Sequence, residues 1–190
     1  MAFKQVALIA LGANLPNKQQ LPVETLKAAL TRLAAGPLRL QAVSRFFSTP
    51  CFPVNSGPDY VNTAAAFAVP EGMPSNTVLG ELHAVEAEFG RERLQRWGMR
   101  TLDIDLIALG DEIVPDDVTQ TRWRNLPLET QKTCAPDTLI LPHPRVQDRG
   151  FVLVPLAEIA GDWTHPLTGK TLHQMRAALH PDAVAEIRPL

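Results

Sequence analysis

Leu102-Asp103-Ile104-Asp105-Leu106-Ile107-Ala108-Leu109 decides how this chain is read. The stretch alternates and is rich in aliphatic residues, so it reads as a β-strand. Successive side chains on a strand point to opposite faces. Asp103 and Asp105 then share one face, roughly 6–7 Å apart at two strand rises. That face continues as Ile107 and Leu109, so the carboxylates border a buried surface. Two like charges so close repel, and each disfavours ionisation of the other. A cation between them removes the conflict. Aspartate oxygens suit Mg2+, which keeps several waters and shares its shell with substrate phosphates. Just upstream lie Arg91, Arg93, Arg96 and Arg100 against one acid, Glu92. Arginine forks match phosphate geometry. The acid pair, the arginines and the indole of Trp97 point to a magnesium–nucleotide site for phosphoryl or pyrophosphoryl transfer. A lone D-x-D describes the solvated face of an edge strand equally well; the adjacent arginines weigh against that.

Upstream, residues 5–12 are apolar and read as a buried strand ending at Gly12. Pro22 to Ala34 has Leu26, Leu30 and Leu33 at helical spacing, with proline in the first turn and Gly36 after the end. Leu38 to Phe47 and Tyr60 to Val69 read as strands, the second with Tyr60, Asn62 and Ala64 on one face. Residues 48–58 form an irregular loop. Ser75 to Phe89 reads as a helix with Val78, Leu82, Val85 and Phe89 as its stripe and Gly90 as terminator. With the aspartate strand, the order is β-α-β-β-α-β, an α+β, ferredoxin-like antiparallel sheet with helices on one face. Short helices near 151–159 and 171–179 are expected as C-terminal additions. Residues 115–137 fit nothing in this plan and read as an insertion in a surface connection, a solvated loop rather than a lid or a self-association surface.

The chain has 190 residues, enough for one domain spanning 1–190, and 45% hydrophobic content is ordinary for a globular protein. A net charge of −2 argues against a general nucleic-acid binder. Cys51 and Cys134 have neither C-x-x-C nor zinc spacing and are expected as free thiols in a reducing cytosol. With no signal peptide or membrane-length apolar run expected, the protein reads as cytoplasmic.

The stretch Arg96-Trp97-Gly98-Met99-Arg100-Thr101-Leu102-Asp103-Ile104-Asp105 resembles the R-W-G-P-R-T-L-D-L-D signature of the hydroxymethyldihydropterin pyrophosphokinases of folate synthesis. Four further blocks match in order. Leu11-Gly12-Ala13-Asn14-Leu15 is similar to L-G-S-N-L. Thr49-Pro50, then Tyr60-Val61-Asn62, is similar to T-x-P…Y-x-N. Glu86, Gly90, Arg91 and Arg93 resemble E-x-x-x-G-R-x-R. Leu141-Pro142-His143-Pro144-Arg145, followed by Arg149 to Leu156, resembles L-P-H-P-R…R-x-F-V-L-x-P-L.

The resemblance implies a site. Asp103 and Asp105 would hold two Mg2+ ions bridging ATP and a reduced pterin. Arg91, Arg93 and Arg100 would clamp phosphates, and Trp97 would pack over the site on closure. Tyr60 and Phe151 would sandwich the pterin; Thr49 and Asn62 would read its edge, with Pro50 and Phe52 lining the same region. His143 and Arg149 would meet the nucleotide phosphates. His83, Glu86 and Leu106 would lie near the rest of ATP. Gly12 and Asn14 read as structural. Met99 stands where the family has proline, which leaves the loop less fixed in φ. The implied enzyme transfers the diphosphate of ATP to the pterin hydroxymethyl group, leaving AMP, and is expected as a monomer acting on small molecules. Two other classes compete. Another magnesium-dependent nucleotidyl or phosphoryl transferase would not need a pterin sandwich. A ferredoxin-like RNA-binding module would show a basic, aromatic sheet face, whereas Ala64, Ala66 and Ala68 are small and apolar.

Overall fold

Period-two patterning carries the strands into one antiparallel sheet, and the helices then divide between its two faces. The computed structural model describes residues 3–17, 20–51, 57–90 and 101–190. The first part runs β1 (Phe3–Ala13), α1 (Pro22–Ala34), β2 (Arg39–Val43), β3 (Phe47–Thr49), β4 (Tyr60–Pro70), α2 (Ser75–Glu88) and β5 (Asp103–Leu109). The second adds α3 (Asp117–Arg124), α4 (Leu128–Thr133), α5 (Gly150–Ala160), α6 (Leu172–Ala177), α7 (Asp182–Ala185) and β6 (Arg188–Pro189). The sheet order is β5-β1-β4-β3-β6, with β2 also paired to β4. The pairings are antiparallel. This is the expected ferredoxin-like arrangement, its second strand divided into β2 and β3.

That division has a local cause. Ser44 lies between the two pieces, and its Oγ accepts the Ala64 backbone N–H at 2.9 Å and sits 3.0 Å from Thr63 Oγ1. The side chain thus takes over a ladder position from the backbone. The strand expected over Leu38–Phe47 is therefore two strands, and the second reaches Thr49, into the stretch expected as loop.

Helix α1 starts with proline in its first turn and buries Leu26, Ala29, Leu30 and Leu33, one stripe at 3.6-residue spacing. Helix α2 buries Val78, Leu82 and Val85 and ends at Gly90, whose φ of +78° is the left-handed conformation that terminates helices. Both pack on the face formed by Ile9, Leu11, Phe67, Ile104 and Leu106. The opposite face is not left open, as helices on one side alone would leave it. Helices α5 and α6 cover it, with Val152, Leu153, Leu156, Leu172 and Met175 against Leu8, Ala64, Ala66 and Ile107. The small alanines of β4 let α5 approach closely.

One expectation about β5 is corrected. Leu109 does not continue the Asp103–Asp105–Ile107 face but joins the α1/α2 cluster with Leu106. The pairing with β1 slips between Leu8↔Ala108 and Ile9↔Leu106, a bulge that reverses the phase of the alternation. β1 also runs past Gly12 to Ala13. The 115–137 segment carries two helices rather than a structureless loop. Asp116 caps α3 by accepting the Thr119 backbone N–H at 2.9 Å. Among the described residues no helix is long and apolar enough to cross a membrane. Neither Cys51 nor Cys134 is in a disulfide.

Leu153 is fully buried between α5 and the sheet. Leu153→Ala should cost about 2–5 kcal/mol, the range for truncating a packed leucine. A urea titration should show a lower midpoint at unchanged slope; a loss under about 0.5 kcal/mol would mean that α5 is not part of the cooperative core.

Candidate active site

The face that carries Asp103 and Asp105 also carries Ala10 and Gly12 of β1 and Asn62 of β4. Cross-strand register puts Gly12 beside both Asp103 and Asn62, and Ala10 beside Asp105. Helix α5 covers the middle of this face, and its upper end opens into a cleft of about 1340 Å³. Thr49, Pro50, Tyr60, Asn62, His83, Asp103, Asp105, Leu106, His143, Arg149 and Phe151 all line that cleft. The structure thus brings together eleven of the residues singled out from sequence. Glu86 is the exception. It is 1% exposed, and its Oε1 accepts the Ile104 backbone N–H at 2.7 Å. It ties α2 to β5 between the two aspartates instead of facing the cleft with His83. Phe52, Arg91, Arg93, Arg96, Trp97, Met99 and Arg100 lie outside the described residues.

At one end, Asn62 and Thr49 form a polar floor. Asn62 Nδ2 donates to Thr49 Oγ1 at 2.7 Å, and both side chains are buried. Gly12 explains how the amide fits: a Cβ there would lie 2.9 Å from Asn62 Oδ1, closer than real Cβ contacts come. Its value is empty space rather than strand termination. Tyr60 is partly exposed on the same strand, and Phe151 is exposed at the first turn of α5. An amide and two aromatics offer a flat polar ring both hydrogen bonds and stacking.

Beside Phe151, cations face the aspartates. Arg149 NH1 lies 3.1 Å from Asp105 Oδ2, and its guanidinium carbon is 5.8 Å from the Phe151 ring centre. Arg145 lines the cleft too, and burial followed by the nearby Arg149 lowers its pKa. Its Nε is buried and has no hydrogen-bond partner among the described residues. Arg145 closes the Leu141-Pro142-His143-Pro144-Arg145 block, whose pattern alone assigns it no role. Two guanidiniums this near one another suit an anion with several oxygens. His143 lies between these cations and β5. Its backbone N–H donates to Ile107 O at 2.8 Å, and its Nδ1 accepts the Arg145 backbone N–H at 3.1 Å. Burial, then the charges of Arg149 and Arg145, push its pKa down to about 3. The ring is therefore neutral near pH 7, with its proton on Nε2.

The profile of the 7,8-dihydro-6-hydroxymethylpterin-pyrophosphokinase (HPPK) family matches residues 8–161. Three relatives carry the name 2-amino-4-hydroxy-6-hydroxymethyldihydropteridine pyrophosphokinase. One from Synechocystis is 36% identical over 185 residues, covering 96% of this chain and 80% of the relative. One from Haemophilus influenzae is 35% identical, with 84% of each chain covered. One from Pseudomonas aeruginosa is 35% identical, covering 92% of this chain and 91% of the relative. Among solved structures, wild-type HPPK-DHPS of Plasmodium falciparum is similar at a TM-score of 0.62 and 12% identity, covering 93% of this chain and 45% of that one. At that identity the likeness concerns the fold.

His143 and the buried His165, whose pKa burial lowers to about 4, give a stability signature. In the unfolded chain each takes a proton near pH 6.5, and in the fold each stays neutral well below that. Below pH 6.5 the unfolded state therefore binds more protons, and stability falls with pH; above it neither group contributes. Between pH 7 and 5 each should cost up to about 2 kcal/mol. Urea titrations across that interval should show the decline, and His143→Gln should make it shallower. An unchanged slope in the variant would contradict the assignment.

Proposed function

The chain belongs to the 7,8-dihydro-6-hydroxymethylpterin-pyrophosphokinase family, and we propose that its catalytic centre is the β5 face bearing Asp103 and Asp105. The protein is an ATP-dependent diphosphotransferase, passing pyrophosphate from ATP to hydroxymethyldihydropterin in folate biosynthesis. One observation carries the assignment of its parts. The aspartates line one cleft together with polar and aromatic groups suited to a pterin and with cations suited to a polyphosphate.

The donor set at the centre fits Mg2+. Two carboxylates on one face offer only oxygen, and both open to the cleft. Among the described residues no group of three His, Cys, Asp or Glu could hold a metal. Mg2+ needs no such cage, because it takes one or two carboxylates and fills its shell with water and phosphate. When bound, a pair of Mg2+ ions would neutralise charge on the transferred diphosphate.

The side chains then divide the remaining work. Asn62 and Thr49 hold the pterin edge, and Tyr60 and Phe151 stack on its ring, with Pro50 and Phe52 beside them. This aims the hydroxymethyl oxygen at the aspartates. Arg149 and Arg145 draw the phosphates toward them, and the neutral His143 offers an Nε2 proton as a hydrogen bond. By the resemblance, Arg91, Arg93 and Arg100, with Trp97, are assigned to the phosphates, and His83 and Leu106 to the nucleoside. Glu86 acts at one remove, through the Ile104 N–H that separates the aspartates. Transfer of this kind rests on positioning and electrostatics, so the cleft needs no side-chain nucleophile. We further assign residues 1–190 to a single domain that works as a cytoplasmic monomer without nucleic-acid or membrane partners. Both faces of the sheet being covered by helices supports an enzyme over an RNA-binding sheet.

Formation of AMP from ATP should depend on the hydroxymethyl pterin. Asp103→Asn and Asp105→Asn should each lower kcat roughly 10²–10³-fold, the scale for removing one preorganised electrostatic group, with cooperative melting retained. Near-normal turnover in both across a Mg2+ titration would place the metals elsewhere. Gly12→Ala gives a separate check on the pterin end. Its new methyl should displace Asn62 and weaken pterin binding by about tenfold, while affinity for a non-hydrolysable ATP analogue stays within about twofold. Calorimetry with each ligand decides it; equal loss of both would abolish the division of the cleft.

A further inference from the structure

The 115–137 segment is closed at its base by an isolated antiparallel bridge. Val114 N donates to Leu141 O at 2.9 Å, and Leu141 N donates back to Val114 O at 3.0 Å. The helix enclosed by that bridge, α3, is mostly polar, yet Gln120 is 0% exposed. A buried amide is costly unless both its ends are bonded. Here they are. Gln120 Nε2 donates to Pro142 O at 3.1 Å, and its Oε1 accepts from Arg124 NH1 at 3.1 Å.

Both partners lead into the cleft. Pro142 immediately precedes His143, whose N–H is held from the other side by Ile107 O at 2.8 Å. The histidine loop is thus clamped between β5 and α3. Arg124 itself lines the cleft along with Trp123 and Leu126, the same cleft that His143, Arg145 and Arg149 line. Among the described residues its hydrogen-bond partners are the oxygens of Gln120 and Thr121, not a carboxylate. Its positive charge also helps lower the pKa of the buried His165. A cation steered to a cleft wall by neutral oxygens keeps its charge available for an anionic ligand.

We propose that α3 is a working wall of the nucleotide end of the cleft, with Gln120 as a positioning residue. One end of the Gln120 amide fixes the carbonyl before His143. The other holds Arg124 where the polyphosphate of ATP passes. This rests on the reading of His143 and Arg149 as the phosphate end. It also reverses the expectation that the segment is a dispensable solvated loop.

Gln120→Leu keeps the volume but leaves Pro142 O and the Arg124 guanidinium without their partner. The expected result is an increase of about tenfold in KM for ATP and in Kd for a non-hydrolysable ATP analogue, with KM for the pterin within about twofold. A merely structural role would instead lower the melting temperature and change both substrates' parameters alike, and that result, or no change, overturns the proposal. Arg124→Met, on the helix surface, serves if Gln120→Leu fails to fold. It should raise the ATP KM severalfold and flatten its dependence on ionic strength; an unaltered ATP KM and salt response would be equally fatal. His143→Ala separates the premise from the proposal. If it leaves analogue binding intact, the phosphate end has been misplaced, whatever the α3 variants do.

Discussion

An outer strand must find partners for the backbone groups on its open side. β5 is that strand, at one end of the sheet order. It satisfies Ile104 N–H with the Glu86 carboxylate and Ile107 C=O with the His143 backbone N–H. The same two bonds dock helix α2 and the histidine loop on either side of Asp105. The requirement that an edge be covered thereby fixes the relative position of the carboxylates, the histidine loop and the core. A neighbouring strand would have met the same demand but closed the site.

The pleat makes the other division. Leu102, Ile104 and Leu106 enter the α1/α2 core, while Asp103 and Asp105 point the opposite way. On β4, Tyr60 and Asn62 face the cleft, while Ala64 and Ala66, further along that face, pack under α5. One face therefore serves as core along most of its length and as the floor of the cleft at its end. Where α5 begins marks the change, and Arg149 and Phe151 at that boundary face the cleft.

Much of this was legible in the residues. Strong alternation and terminators such as Gly90 disclose the six-element order, because local periodicity and caps are encoded within a dozen positions. The motif around Asp103 discloses the centre. What stayed hidden depends on partners far along the chain. The bulge that turns Leu109 is set by the register against β1, and the break at Ser44 by the Ala64 N–H. Glu86 resembles any polar helix residue until Ile104 is seen above it. Gln120 sits in a polar run with no apolar stripe, and its reason for burial is 22 residues away. The Asp116 cap was a readable signal of α3, since Asp followed three residues later by Thr119 suits a helix start.

The opposite edge of the sheet has a different ending. β3, which carries Thr49 into the cleft, is flanked by the two-residue β6, whose Pro189 pairs with Phe47. Proline has no N–H to offer, so the ladder cannot be extended through that position by another chain. A short, proline-bearing flank of this kind acts as a stopper against edge-to-edge association. It flanks the strand whose exposure would invite a second molecule to add beside the floor of the cleft. Two residues outside the cleft lining, Arg188 and Pro189, thus close the outer side of the strand that supplies Thr49 to the cleft.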